Sequence, residues 1–233
     1  MWSCTAQDMT HITLINPNTS TATTAMMTDI ARKYLPAEAT IEGITAANGV
    51  PMILDEEQLG AATDSVMEMG LAKSGKSDGL IISAFGDPGL ELLREICDIP
   101  VVGICEASML EASLGGRRFG IATVTPDLVG SFAGKADALG LAPFFTGTRL
   151  TTGNPIALAS DPQRLHAALA VAVRECFEKD GAEAVIIGGG PLGQAADDLQ
   201  HLLSAPVIAP IRSAVELLLS RLAAPPAKKR IAR

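Results

Sequence analysis

The sequence predicts an α/β fold made of two pseudo-symmetric, doubly wound parallel-sheet halves, with the active-site cleft between them. Three observations lead to this prediction. Apolar runs alternate with helical patterns, most of these runs are continuous rather than alternating, and the two halves of the chain resemble each other. Continuous runs of Val, Ile and Leu are typical of parallel strands that helices cover on both faces.

Short apolar segments bounded by turn residues are predicted as strands. They are residues 11–16, 39–45, 79–85, 100–104, 118–124, 182–189 and 206–211. Four of the intervening helices have a start that capping residues mark, and Pro stands in the first turn of two of them. They are expected from 18–20 to about Tyr34, from Asp55 to about Lys73, from 125–127 onward, and from 160–162 to about Lys179. The last of these is predicted to be the longest helix.

A weak internal repeat supports two similar halves. The stretch DGLIISAFGDPG, which starts at Asp78, resembles AEAVIIGGGPLG, which starts at Ala182; with Ile81 set against Ile186, Ala84 matches Gly189. HITLINPNTS has a similar counterpart in RFGIATVTPD. Because ligands of open α/β sheets bind beyond the carboxyl ends of the strands, we expect the turns of both halves to meet at one cleft.

The repeat also suggests how the chain is divided. The first half is predicted to comprise residues 10–100 together with 206–222, and the second half residues 101–205. Residues 223–233 follow as a basic C-terminal tail, in which KKRIAR comes after AAPPA. We expect this tail to be solvated and disordered, with a binding arm as the less favoured alternative.

Composition argues against several classes of function. Aromatic residues make up 3% of the 233 residues and the formal net charge is −8, so a nucleic-acid surface with stacking aromatics and a basic face is not expected. No apolar stretch approaches the roughly 18 residues of a membrane span, and the start of the chain lacks the pattern of a secretory signal. We therefore predict a cytoplasmic protein that binds neither nucleic acid nor membrane.

Cysteine and histidine spacing argues against a metal site. The four cysteines form no CxxC pair, and His11, His166 and His201 are scattered without HxxxH or HxH spacing. Reduced thiols are expected in a cytoplasmic protein. We expect no metal and no cofactor, because the Gly188-Gly189-Gly190 run lacks the spacing of a dinucleotide site and no Walker sequence is present.

Two turns at strand ends in the first half are candidate ligand sites. In the turn Asn16-Pro17-Asn18-Thr19-Ser20, the side chains of Asn16, Thr19 and Ser20 and the free amides of the helix start can hold an anion, or can simply cap the helix. The turn at residues 84–89, AFGDPG, offers close backbone approach at Ala84, Phe85 and Gly86. Its Asp87 is either a helix cap or a base.

The remaining turns supply acid/base candidates and hydroxyls. Cys105 and Glu106 follow a buried strand, where a partly desolvated carboxylate would be more basic than usual; the alternative is a Glu that points to solvent. Cys105 is either a nucleophile or a buried small apolar side chain. Thr123 and Thr125 offer hydroxyls for a second anion contact. They are expected to face the bare backbone of residues 188–190.

These motifs, in order, resemble the aspartate/glutamate/hydantoin racemase superfamily, and the hydantoin and allantoin racemase branch most of all. They are INPNTS, FGDPGL, PVVGICEAS, RFGIATVTP and AEAVIIGG, spread over residues 11–215. The resemblance implies a cofactor-independent enzyme that acts at an acidic carbon next to a carbonyl group and assembles as a homo-oligomer, a dimer or larger. It also implies two catalytic cysteines, one on each side of the substrate, at the positions that Ala84 and Gly189 occupy here.

Neither alanine nor glycine can transfer a proton, so the resemblance leaves the reaction open. Racemisation of an amino acid or hydantoin stays one alternative. The cleft can also host a different reaction, such as a lyase or hydrolase chemistry with Glu106 as first choice for acid/base work and Asp87 and Cys105 beside it. It can also bind a ligand without turnover. Residues replaced to trap a ligand are a weaker explanation, because Gly189 sits in a native-looking run of glycines. The expected ligand is a small carboxylate, amide or hydantoin-like compound.

Overall fold

Two four-stranded parallel sheets form the framework of the protein, and a computed structural model describes residues 9–201 and 203–224 of it. In the first sheet the strand order is β2-β1-β3-β4, and in the second it is β6-β5-β7-β8. The strands are β1 (Thr10–Asn16), β2 (Ala39–Thr45), β3 (Gly79–Ile82), β4 (Val101–Gly103), β5 (Phe119–Thr123), β6 (Phe145–Leu150), β7 (Ala184–Gly188) and β8 (Val207–Ile208). Matching orders in the two sheets confirm the predicted fold of two pseudo-symmetric α/β halves.

Helices connect these strands. They are α1 (Thr21–Arg32), α2 (Glu56–Ser74), α3 (Leu90–Ile96), α4 (Ile104–Ala112), α5 (Val129–Ala138), α6 (Pro155–Ala159), α7 (Pro162–Glu178), α8 (Gly193–Gln200) and α9 (Pro210–Ala223). The predicted caps are confirmed for three of them: Ser20, Asp55 and Asp161 each accept a hydrogen bond from a first-turn amide. The longest helix is α2, with 19 residues against 17 in α7, which corrects the prediction for α7.

One strand was not predicted from the sequence. β6 is the edge strand of the second sheet, most of its residues are half-buried, and its sequence FTGTRL alternates weakly. Because an edge strand is covered on fewer sides, it lacks the continuous apolar run that reveals a central strand. The segment predicted as a strand at 206–211 is a strand only at Val207–Ile208, since Pro210 begins α9.

The chain passes from one sheet to the other at two helices. α4 follows β4 of the first sheet and leads towards β5 of the second, and α9 follows β8 of the second sheet and packs against α4, α1 and β3. Glu111 of α4 accepts hydrogen bonds from Arg212 at 2.5 Å and Ser213 at 2.6 Å of α9, which joins the two crossings. The division at 100/101 and 205/206 stays a prediction. Of the predicted tail, residues 225–233 lie outside the described residues.

A shared core holds the halves together. Its largest cluster contains Leu14 and Ile81 of the first sheet beside Phe119 and Ile186 of the second, and all four side chains are fully buried. Because apolar side chains of both sheets pack in one cluster, burial stabilises the two halves jointly.

A buried carboxylate marks the start of α4. Asp87 has a left-handed backbone (φ 54°), and its carboxylate accepts hydrogen bonds from the amides of Cys105 at 2.9 Å and Glu106 at 2.7 Å. Lys135 of α5 lies 3.3 Å from the same carboxylate. Asp87 is therefore a cap, but of α4 rather than of α3, whose own N-cap is Gly89. The carboxylate also ties the first half to the second.

Gly103 makes room for this carboxylate, which generates a prediction. A Cβ at Gly103 would overlap the Asp87 carboxyl group, although the backbone there (φ −107°) suits any residue. We expect Gly103→Ala to lower the free energy of unfolding by about 2–4 kcal/mol in urea titrations, because the cap must move. Gly134→Ala in α5 is the matched control: a Cβ there meets nothing within 4 Å, so stability should rise by about 0.5–1 kcal/mol. Equal effects of the two substitutions would contradict this role of Gly103.

Candidate functional site

A cavity of about 680 Å³ lies between the two halves, at the carboxyl ends of the strands. Its floor is formed by the turns that follow β3 and β7, namely Ser83–Phe85 and Gly188–Gly190. Of the residues matched by the internal repeat, Ala84 and Gly189 both line it. The structure thus brings the two Gly-rich turns to one place, and the volume falls within the range of small-molecule sites.

The two turns approach each other closely. A Cβ at Gly190 would lie 2.9 Å from the carbonyl oxygen of Ser83 and 2.5 Å from Sδ of Met27. A backbone oxygen cannot swing aside as a side chain can, so glycine at 190 is required for the two halves to approach this closely. A Cβ at Gly188 would first meet its own sheet, at 2.8 Å from Ile121 and 3.2 Å from Thr123, and then Cε1 of Phe85 at 3.3 Å.

In the first turn, Asn18 faces the cavity and Asn16 does not. Asn16 is buried, and its Nδ2 donates to Oδ1 of Asn18, to the Ser20 carbonyl and to Oγ1 of Thr24. Oδ1 of Asn18 also accepts from the Ser20 amide at 3.0 Å, which fixes the orientation of the Asn18 side chain. Among the described residues no acceptor bonds Nδ2 of Asn18, so this amide group is available to a ligand in the cavity.

In the second half, Thr125 faces the cavity, and Thr123 lies behind Thr125 and contacts its hydroxyl group. Thr123 is fully buried and donates to the Gly188 carbonyl at 2.7 Å. Its hydroxyl oxygen lies 3.2 Å from that of Thr125, which lines the cavity. Because the Thr123 hydrogen is already used, the Thr125 hydroxyl either donates to Thr123 or turns its hydrogen towards a ligand.

The walls of the cavity are apolar. Leu59 and Ile53 of the first half and Leu128 of the second line it, together with Phe85 and Phe132, whose rings pack edge to face with centroids 5.0 Å apart. The loop that follows β2 and the short helix α6 that follows β6 close it with further apolar groups, among them Met52, Pro155 and Ala159. These residues were not predicted, since nothing local distinguishes them from other apolar positions outside the strands.

Ionisable groups stand at the rim. Asp29 and Lys33 of α1, His166 of α7 and Asp198 of α8 line the cavity, and all but His166 are exposed. A second cavity of about 590 Å³ shares Pro162, His166 and Asp198 with the first. Within the part of the chain that the structure describes, no group of three or more His, Cys, Asp or Glu side chains could hold a metal ion. Over the same residues, none of the helices is both long and apolar enough to cross a membrane.

Glu106 does not line the cavity. Its carboxylate is 6% exposed and binds Arg94 of α3 and Arg221 of α9, the latter at 3.0 Å, while both guanidinium groups also donate to the Val101 carbonyl. Burial by itself would raise the pKa of Glu106, but the hydrogen bonds and charges of the two arginines outweigh it and lower the pKa. The expectation of an unusually basic carboxylate at Glu106 is therefore wrong, because the partners were invisible in the sequence.

Asp87 and Cys105 also lie outside the cavity lining. Burial raises the pKa of Asp87, and the charge of Lys135 and the two amides that it caps counteract this. Cys105 is fully buried, and burial followed by the nearby Asp87 charge raises the pKa of its thiol well above the ordinary value. Gly86 does not line the cavity either. An acid/base role for these residues stays a prediction that this geometry does not favour.

The structure thus separates the predicted ligand residues into two groups. One group lines the cavity: Ala84, Phe85, Thr125, Gly188, Gly189 and Gly190. The other lies behind it: Asn16, Thr19, Ser20, Gly86 and Thr123. Asn18 and Ser83 line the cavity without having been singled out, because residue type alone cannot tell which side chain of a polar turn faces outward from it.

Comparisons with known proteins place this cavity in context. Residues 12–218 match the family model described as Asp/Glu/Hydantoin racemase. A hydantoin racemase of Pseudomonas sp. (strain NS671) is 30% identical over 200 residues, which is 84% of this chain and 80% of that protein. The structure of an allantoin racemase from Klebsiella pneumoniae superimposes with a TM-score of 0.88 at 28% identity, covering 95% of this chain and 91% of the other.

A more distant structure shows the same fold in a protein of another reaction type. Arylmalonate decarboxylase superimposes with a TM-score of 0.65 at 16% identity, over 91% of this chain and 92% of the other. At this identity the likeness concerns the fold alone. It nevertheless indicates that this arrangement of two halves does not by itself specify racemisation.

The lowered pKa of Glu106 generates a prediction about pH. A carboxyl group whose pKa is lower in the folded protein stabilises it above the unfolded pKa, and this contribution is lost as pH falls through the folded pKa. We expect Glu106→Gln to lower stability at pH 7 by about 1–3 kcal/mol, because two arginines lose their partner. The variant should also lose less stability than the unsubstituted protein as pH falls from 5 to 3.

Urea titrations across this pH range test that expectation. Glu95→Gln, at an exposed position of the same α3 that carries Arg94, is the control and should follow the unsubstituted protein at every pH. Parallel stability curves for the Glu106 variant and the unsubstituted protein would show that Glu106 does not contribute to the acid sensitivity of the fold.

Proposed function

Because the chain belongs to the Asp/Glu/hydantoin racemase family, we propose that its cavity binds a hydantoin-like or amino-acid-derived compound. The protein would act, without a cofactor, at the carbon next to a carbonyl group. The observation that carries this proposal is the convergence of Ser83–Phe85 and Gly188–Gly190, one turn from each half, on a single cavity. In such a site, polar backbone groups contact a flat substrate from two sides.

Hydrogen-bond donors at the floor support binding of carbonyl oxygens. Asn18 offers its side-chain amide and Thr125 its hydroxyl. Apart from bonds within helices and strands, the backbone amides of Ala84 and Gly189 donate to no carbonyl group of the described residues. Preorganised donors of this kind stabilise the negative charge that develops on a carbonyl oxygen when the neighbouring carbon loses a proton or a carboxyl group.

The apolar walls favour a substrate with an apolar substituent. A five-membered cyclic amide fills only a small part of about 680 Å³, and the remaining space borders Leu59, Phe85, Leu128 and Phe132. Burying an aromatic or branched aliphatic group there contributes roughly 25 cal/mol for each Å² removed from water. Among the described residues that line the cavity, Lys33 at the rim is the only lysine or arginine. A second carboxylate on the substrate would therefore find no matching positive charge at the floor.

The side chains at the floor also bear on the type of reaction. Ala84 and Gly189 carry no acid or base, and Ser83 donates its hydroxyl hydrogen to the Ile15 carbonyl. We therefore propose that the protein does not use a pair of thiols at these positions. A lyase or hydrolase reaction in the same cavity fits this floor. Binding without turnover, the second candidate, fits as well. It is favoured because no residue at the floor or directly beside it has an ionisable side chain. These residues are Asn18, Ser83–Phe85, Thr125 and Gly188–Gly190.

A ligand panel tests the proposed function. We expect 5-benzylhydantoin and 5-isopropylhydantoin to raise the melting temperature, and glutamate and allantoin to leave it unchanged, because only the first two match the apolar walls. Proton NMR in heavy water and mass spectrometry then separate the reactions. Exchange at C5 above the rate in buffer indicates carbanion chemistry, a new mass indicates a lyase or hydrolase, and stabilisation without either indicates a binding protein. If no hydantoin stabilises the protein, the proposal is wrong.

The two asparagines of the first turn provide a matched pair of variants. Asn18→Ala is expected to lower the melting temperature of the unliganded protein less than Asn16→Ala does, because its Oδ1 accepts two hydrogen bonds of the turn. It should abolish most of the shift caused by 5-benzylhydantoin, since Asn18 lines the cavity. Asn16→Ala should lower stability by about 1–3 kcal/mol, because it removes several buried hydrogen bonds of the turn. The reverse result, with ligand binding lost only in the Asn16 variant, would show that the two roles are exchanged.

A further inference from the structure

Gly189 differs from the glycines on either side of it. Gly190 is required because the Ser83 carbonyl of the other half packs against it, and Gly188 because Ile121 of its own sheet does. Gly189 has φ 156° and ψ 129°, a conformation that side-chain-bearing residues rarely adopt. A Cβ there would meet one side chain within 4 Å, that of Leu192, at 2.9 Å from Cδ1 and 3.1 Å from Cγ. The space beside Gly189 is thus held by a residue three positions further along the same turn.

Leu192 is placed to act on a ligand. It is 7% exposed, it packs in the core cluster of the second half, and it lines the cavity together with Gly189. Since leucine is apolar and branched, this side of the cavity offers contact area but no group that can accept or donate a proton. The obstacle is a side chain rather than backbone, so a single substitution can remove it.

We propose that Leu192 determines specificity: its side chain takes the space that a side chain at position 189 would need and limits the size of the apolar group that the cavity accepts. The part that concerns ligand size rests on the proposed function of the cavity. The part that concerns space does not, because it follows from the contact between Leu192 and position 189 alone. Glycine at 189 and leucine at 192 then form a matched pair, because a substitution at either position changes the space available at the other.

A double-mutant cycle tests the spatial part without any ligand. Gly189→Ala and Leu192→Ala are each expected to lower the melting temperature, the first through the clash and the unusual φ, the second through a lost buried side chain. In the double variant the alanine at 189 has room. The drop in melting temperature of the double variant should therefore be smaller than the sum of the two single drops by about 2–4 °C. Additive losses overturn the proposal. If Gly189→Ala does not fold, the double variant is expected to fold, and failure of both overturns the proposal as well.

Ligand selectivity tests the remaining part. Leu192→Ala should shift the ratio of affinities for 5-(2-naphthylmethyl)hydantoin and 5-benzylhydantoin about tenfold towards the larger compound. Leu199→Ala is the control, because Leu199 of α8 is also buried, at 2% exposure against 7% for Leu192, but does not line the cavity. The affinity ratio of this control should match that of the unsubstituted protein. An unchanged ratio in the Leu192 variant overturns the role in specificity. If neither hydantoin binds the unsubstituted protein, the proposed function fails, and the double-mutant cycle still decides whether Leu192 holds the space beside Gly189.

Discussion

The contact between the turns Ser83–Phe85 and Gly188–Gly190 is the constraint on which the site depends. Glycine at 190 lets the Ser83 carbonyl approach, and the Phe85 ring lies beside Gly188, so the two halves meet closely at this point. The shape of the cavity follows from this approach. Its floor exposes polar backbone of both turns, and the walls are apolar because the shared core continues up to them.

The two carboxylates that the sequence offered as acid/base candidates serve the framework, whereas Asp29 and Asp198 line the rim of the cavity. Asp87 caps α4 across a distance of 18 and 19 residues in sequence, and Glu106 joins α3, α4 and α9 through two arginines. A buried charge is tolerated only when it is paired and hydrogen-bonded, and a carboxylate whose hydrogen bonds are already made is poorly placed to move a proton. Glu106 in particular is held ionised, as its lowered pKa shows.

The cavity therefore combines family geometry with an unusual chemical lining. Two turns related by the internal repeat face one space, as in a protein that works on both sides of a flat carbon. At Ala84 and Gly189 they carry nothing ionisable, and Leu192 occupies the space beside the second position. The chemistry that we propose for this cavity is stabilisation of charge on oxygen by amide and hydroxyl donors, in surroundings that favour apolar substituents.

Much of the architecture was determined by the sequence itself. Continuous apolar runs, capping residues such as Asp55 and the repeat that matches Ala84 with Gly189 predicted the two halves and the meeting of their turns, because periodicity and caps are local properties. The edge strand β6 escaped detection, since partial burial leaves no clear apolar pattern. Only the tertiary structure decided that Asn18 rather than Asn16 faces the cavity and that Glu106 faces two arginines. It alone also decided that Leu192 lies against Gly189. Each of these depends on which groups distant elements bring into contact, and a side chain's partners are set by packing rather than by its neighbours in sequence.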